Sequence, residues 1–280
     1  MVPKHARRTE LADLGSLRMS KKRRLRVASY NINGINTRLG IFTRWLEEFA
    51  PDVVGLQELK CTDEAFPREA IEALGYSAIW HGQKSWNGVA LLSRVGAPVE
   101  TRRALPGDPK LEQSRYIEAA VCGILIGNLY APNGNPKPGP KFDYKLAWMD
   151  ALSIHARDLV DSGAPALLMG DFNVIPTDED VYKPERWLKD ALFAPEAKAR
   201  YAKLLAAGWT DALRTLYPDK APFTFWHYWR NAFERDAGIR IDHLLLNRAA
   251  ADRVVAGGVD RTPRGRPHPS DHAPAWIELR

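Results

Sequence analysis

The feature that most constrains this chain is a set of short apolar runs, each breaking off abruptly at a polar cluster. Residues 25–30 end at Asn31-Ile32-Asn33-Gly34, residues 53–56 at Gln57-Glu58, and residues 166–169 at Gly170-Asp171-Phe172-Asn173. In the reverse order, Ser270-Asp271-His272 opens the apolar run that begins at Ala273. Runs this short, rich in β-branched residues, suit strands buried in a sheet. Between the first two, Ile41, Trp45, Leu46 and Phe49 recur at helical spacing until Ala50-Pro51 stops the pattern. A strand–helix–strand opening is the mark of α/β layering.

The same pattern continues. Strands are expected at residues 89–92, 117–121 and 124–130, followed by a Pro-, Gly- and Asn-rich loop from Pro132 to Pro140. Residues 142–160 read as an amphipathic helix and 195–207 as a second helical stretch. The last strands are expected at 239–246, 254–259 and 273–279. No internal repeat, low-complexity block or linker interrupts the chain after residue 26. A total of 280 residues is within reach of one large α/β domain, assigned to 25–280.

Composition removes several classes. No run approaches the ~18 consecutive apolar residues of a membrane span. Cys61 and Cys122 are too few and too far apart for a disulfide framework or zinc site, which points to a reducing, cytoplasmic compartment. The net charge of +6 favours a polyanionic partner. Much of that excess lies in a basic, flexible N-terminal extension, residues 1–24, with Lys4, Arg7, Arg8, Arg18 and Lys21 to Arg24. It lacks the apolar core of a secretory signal. It reads as a solvated tail or an arm touching phosphates, with Met19 as an alternative start.

Each polar cluster has an ordinary explanation and a chemical one. Glu58 is a loop-start acid, or a carboxylate facing the crevice where α/β proteins place ligands. Asp171 and Asn173 suit an Asx turn, yet the i, i+2 spacing also aims both at one point. Asn31 and Asn33 repeat that spacing. Asp242 is a strand-edge acid paired with Arg240, or the carboxylate that orients His272. Tyr130 is a packed strand-end ring, or a phosphate contact. Taken together, the carboxylates, amides and histidine form the donor set that magnesium-dependent phosphodiester cleavage needs.

In this order the segments closely resemble the exonuclease III family of abasic-site endonucleases, within the endonuclease/exonuclease/phosphatase superfamily. The motifs are Ser-Tyr-Asn-Ile-Asn-Gly (29–34), Gly-Leu-Gln-Glu-Leu-Lys (55–60), Trp-Asn-Gly-Val-Ala-Leu-Leu (86–92) and Tyr-Ala-Pro-Asn-Gly (130–134). They continue with Met-Gly-Asp-Phe-Asn (169–173), Arg-Ile-Asp-His-Leu-Leu (240–245) and Pro-Ser-Asp-His-Ala-Pro (269–274). The resemblance implies a four-layered α/β sandwich, two packed mixed β-sheets flanked by helices (DNase I-like). It implies a Mg2+-dependent hydrolase, with Mn2+ as a substitute, acting as a monomer on double-stranded DNA with abasic sites or 3′ ends.

Position by position, the resemblance makes Glu58 the principal metal carboxylate, with Asp271 near the same ion, Asn31 in support, and Asp171 and Asn173 as further candidate ligands. Asp171 would activate or orient water, and Asn173 and Tyr130 would bind the scissile phosphate. His272, oriented by Asp242, would contact the phosphate or act as the base. Asn33, Arg115 and Asn133 would contact DNA, while Phe225, Ile239 and Ile241 would line a pocket for a flipped baseless sugar. The expected reaction is hydrolysis 5′ to abasic sites, with 3′→5′ exonuclease and 3′-end cleaning. Rival readings keep the fold but change the substrate to RNA, a phosphoinositide or a sphingolipid head group, or keep nucleic-acid binding without catalysis.

Overall fold

The computed structural model describes residues 24–280. The basic extension lies, apart from Arg24, outside the described residues. In chain order the elements are β1 (Leu25–Asn31), α1 (Leu39–Phe49), β2 (Val53–Gln57), α2 (Arg68–Glu72), β3 (Ser77–His81), β4 (Val89–Ser93) and β5 (Val99–Arg102). There follow β6 (Tyr116–Val121), β7 (Ile124–Tyr130), α3 (Pro140–Asp161), β8 (Ala166–Asp171), α4 (Pro195–Ala206), β9 (Trp209–Asp211) and α5 (Ala212–Leu216). The chain closes with β10 (Asp242–Asn247), α6 (Arg248–Ala251), β11 (Val254–Val259) and β12 (Ala275–Leu279).

The strands form two six-stranded mixed sheets, ordered β11-β12-β1-β2-β4-β3 and β5-β6-β7-β8-β10-β9. Both share one plan, a central parallel pair (β1 with β2, β7 with β8) with antiparallel neighbours. Alternation along the strands sorts their side chains into layers. Val27, Val53, Ile126, Leu167 and Met169 meet between the sheets. Ala28, Tyr30 and Leu56 face outward under Phe42, Trp45 and Leu46 of α1. Leu129 and Leu168 face the other way, under Trp148 and Leu152 of α3 and Leu204 of α4. The result is the four-layered, DNase I-like sandwich. A chain break in helical character at Ala50 ends α1, where a left-handed residue returns its N–H to the Leu46 carbonyl.

A polar link crosses the apolar interior. Asn128 donates to the Leu56 carbonyl at 2.8 Å and to the Ala90 carbonyl at 2.9 Å, and its Oδ1 accepts from Gln57 Nε2 at 2.6 Å. Gly55 leaves room for it, because a Cβ there would come within 2.6 Å of Asn128 Oδ1.

Two strand expectations change at their ends. The run 239–246 enters the sheet only at Asp242. Upstream, the Thr224 hydroxyl accepts the Ile241 and Asp242 N–H groups, and Ile239 forms single bridges with Val181 and Phe225. The final strand starts at Ala275, because Pro274 has no N–H and Ala273 bonds instead to the Thr224 carbonyl. Strands β5 and β9 carry no continuous apolar run, and β3 only Ala78-Ile79-Trp80. No described helix is long and apolar enough to cross a membrane.

Candidate active site

Strand direction gathers the polar clusters. Parallel pairing puts Asn31 and Glu58 at the same ends of β1 and β2, with Asn31 opposite Gln57. In the second sheet, Tyr130 lies opposite Asp171 at the ends of β7 and β8. Because β10 runs antiparallel to β8, its first residue, Asp242, pairs with Asp171. Because β12 runs antiparallel to β1, the residues before it, Asp271 and His272, reach the same edge. Gly170 allows the approach, since its φ is +146° and a Cβ would fall 1.9 Å from the Leu129 carbonyl oxygen.

The clusters meet in one cleft lined by Glu58, Tyr130, Asp171, Asn173, Asp271 and His272. The Asn31 amide bridges the two sheets, donating to Glu58 Oε1 at 2.9 Å and Asp171 Oδ2 at 3.0 Å. Asn33 donates to Asp271 Oδ1 at 2.9 Å, and Lys60 Nζ joins Asn33 Oδ1 at 2.6 Å and Glu58 Oε2 at 2.9 Å. His272 Nδ1 is 2.8 Å from Asp242 Oδ2, and its Nε2 faces Asp171 Oδ2 at 3.7 Å. The Asx turn of Asp171 and Asn173 is present, and both side chains line the cleft without sharing a partner. Asp171 Oδ1 accepts the Asn173 N–H at 2.8 Å, and Asn173, at φ 49°, turns its side chain back into the cleft.

Burial sets the electrostatics. Asp171 is 1% exposed, and loss of water pushes its carboxyl up to about 7 against the pull of His272, with Asp242 and Glu58 adding to the rise. Burial alone would lower His272, but the Asp242 charge and hydrogen bond, then Asp171, hold it at about 10. The Tyr130 hydroxyl is driven well above the usual tyrosine range by burial, then by Glu58 and Asp171. At neutral pH the imidazolium and an unusually basic carboxylate therefore stand side by side.

A profile of the endonuclease/exonuclease/phosphatase family matches residues 28–272. The chain belongs to that family. Exodeoxyribonuclease III of Haemophilus influenzae is 37% identical over 91% of this chain and 100% of its own length. Two solved structures superpose closely. The 3′-5′ exonuclease from Neisseria meningitidis has a TM-score of 0.88 at 37% identity, covering 91% of this chain and 99% of that one. An AP endonuclease from Archaeoglobus fulgidus has a TM-score of 0.87 at 34% identity, with the same coverage. Within the endonuclease/exonuclease/phosphatase family, the chain is a hydrolase of the exodeoxyribonuclease III and AP endonuclease type.

Family members of this type are metal-dependent nucleases in general, and the donor set here fits a hard divalent cation. Glu58, Asp171 and Asp271 line the same cleft as oxygen donors, without thiolates. Among the described residues, no three His, Cys, Asp or Glu side chains close around one point, so water would complete the shell. Asn173 sits on the other side of the site. Its Nδ2 donates to the Ala131 carbonyl at 2.9 Å and its Oδ1 accepts from Asn133 at 3.3 Å, which groups it with Asn133 rather than with Glu58.

Phe225, Ile239 and Ile241 line the cleft beside His272, with Phe225 edge-on to the imidazole at 5.0 Å. Arg115 opens a neighbouring groove with Trp86, Lys110 and Tyr144, which shares Tyr130 and Asn133 with the cleft. Arg240 does not pair with Asp242; it is buried between Asp180 and Asp211, at 2.7 Å from each. Lys60, Lys145, Trp187 and Tyr228 were not expected at the site. Lys60 stands inside the 55–60 motif, and Tyr228 inside the aromatic-rich sequence Phe223-Thr224-Phe225-Trp226-His227-Tyr228-Trp229. Lys145 shares a helix face with the buried Phe142 and Trp148, where an ordinary lysine does not belong.

Proposed function

We propose that this protein is a Mg2+-dependent DNA repair nuclease that hydrolyses the phosphodiester 5′ to abasic sites, with 3′→5′ exonuclease and 3′-end cleaning activity. The observation that carries this reading is the row Asp242–His272–Asp171, set at 2.8 and 3.7 Å, beside a pocket walled by Phe225, Ile239 and Ile241. Support for DNA comes from the relatives, one of whose structures, a 3′ phosphatase from Neisseria, holds a product DNA hairpin at 36% identity.

In this reading Asp171 holds the attacking water and takes its proton, a task for which a carboxyl raised to about 7 is well matched. Water attacks phosphorus in line as the bond to the 3′ oxygen breaks. His272, kept cationic by Asp242, donates to a non-bridging oxygen, and Asn173, Asn133 and Tyr130 hold the phosphate from the other side. Held by Glu58 and Asp271 with Asn31 behind them, Mg2+, or Mn2+ in its place, would neutralise charge on the phosphate and the departing oxygen. Apolar walls at Phe225, Ile239 and Ile241 suit a baseless sugar, whose extrusion costs least. The reading includes a cytoplasmic monomer.

The test incubates purified protein with a duplex carrying one abasic analogue, with Mg2+ or with chelator. Cleavage directly 5′ of the analogue, lost with chelator and in Asp171→Ala, is expected. Cleavage of RNA alone would move the substrate assignment, and DNA binding without cleavage would mark an inactive homologue.

A further inference from the structure

The run Phe225-Trp226-His227-Tyr228-Trp229 divides its rings between the core and the cleft. Trp226 turns inward, fully buried and edge-on to Phe233. The Tyr228 hydroxyl is fixed by Asn33 at 3.1 Å and donates to the Pro269 carbonyl at 3.0 Å. Phe225, His227 and Trp229 all line the cleft. Their rings form a continuous path from the catalytic imidazole outward. Phe225 lies 5.0 Å from His272, His227 is 4.9 Å from Phe225, and Trp229 is 4.2 Å from His227 at an interplanar angle of 15°. Trp187 stacks on His227 at 5.9 Å and 4°, giving three nearly parallel planes. Trp229, the outermost, is 58% exposed.

We infer that Trp229, backed by His227 and Trp187, is a stacking subsite for an unpaired nucleobase flanking the reacting phosphate. The inference rests on the nuclease reading and adds a substrate class to it, DNA whose strand is frayed or mispaired beside the cut. A plane of conjugated rings at the lip of a phosphate-handling cleft offers what a base presents once it leaves its duplex, a flat π-face. Inside a duplex that face is covered, so the subsite selects open ends. Burial holds His227 below the usual imidazole range, which keeps the middle ring neutral and the stack uncharged. Exposed Lys183, Arg186 and Lys189 lie near Trp187 in the chain, alongside Glu185 and Asp190, and exposed Arg230 follows Trp229, a cationic excess that suits adjoining phosphates.

The experiment measures binding of two labelled DNA hairpins by anisotropy in chelator, where no turnover occurs. Each ends in two unpaired 3′ nucleotides, with bases in one and baseless analogues in the other. Trp229→Ala should weaken the base-bearing hairpin about 5- to 100-fold and leave the baseless one within about 2-fold. Trp229→Phe should restore binding, while Trp229→Leu should not. Equal weakening of both hairpins, or full rescue by leucine, would overturn the subsite while leaving the nuclease reading standing. If the unaltered protein bound neither hairpin and cut no abasic duplex, that reading would fall, and the subsite with it.

Discussion

The Lys145 ammonium nitrogen lies 2.5 Å from the Asn173 carbonyl oxygen and 3.1 Å from that of Asn133, behind the two residues whose amides meet at the cleft. Burial lowers this lysine to about 7, against the pull of Asp171 and Asp190. Lys145→Met keeps the stem and removes the tie between the two turns. We expect kcat on an abasic duplex to fall about 10-fold, less than for loss of a direct donor. The unfolded lysine keeps its proton up to about 10.5, so the native protein gains stability over the variant as pH rises from about 7 to 10.5. Steady-state rates and thermal melts across that range check both.

Asp242→Asn removes the charge that keeps His272 protonated, while preserving the shape of the contact at 2.8 Å. The imidazolium should then be lost at lower pH, moving the alkaline limb of the pH–rate profile down by about 1–2 units. The rate at neutral pH should fall about 10²-fold. An unmoved alkaline limb would remove His272 from the role of proton-holding phosphate partner.

Away from the cleft, Glu118 accepts from Thr101 at 2.7 Å and from Tyr116 at 2.8 Å, and faces His155 Nε2 at 2.7 Å. Burial raises its carboxyl, but these bonds outweigh it and hold the group at about 2. A depressed carboxylate stabilises the fold above its unfolded value of 4.5, and that contribution fades as pH falls toward 2. Glu118→Gln should cost about 1–3 kcal/mol at pH 7, and the deficit should shrink below pH 4.5, as urea midpoints at several pH values would show.

Gly170→Ala places a methyl against the Leu129 carbonyl at a φ that side chains resist. We expect a loss of about 3 kcal/mol or more, together with displacement of Asp171. Denaturant unfolding measures the first, and residual activity of the folded fraction the second.

Much of this site could be read from sequence because buried strands appear as unbroken apolar runs, so the first polar residue after each marks a cleft edge. Asn31, Glu58 and Asp171 stood out for that reason. Lys145 did not, because a lysine on a long helix looks like a surface residue until its carbonyl partners, on two separate turns, are known. Ile239 and Ile241 read as strand because apolar alternation is blind to whether a sheet or the Thr224 hydroxyl takes the backbone N–H groups. Edge strands β3 and β5 escaped notice because β3 has only Ala78-Ile79-Trp80 as an apolar run and β5, exposed along its length, has none. Trp187 belongs to a loop whose position depends wholly on tertiary packing.

The Asn128 amide that ties Leu56 and Ala90 of one sheet to a strand of the other sits behind the edge that carries the cleft. Glu58 and His272 hang from the first sheet, Asp171 and Asp242 from the second, so the jaws are riveted at their root. A mouth of fixed gape leaves bending to whatever enters it. Under the proposed nuclease reading, discrimination would then rest on how readily a duplex yields, and pliancy at a damaged position would become the quality that is selected.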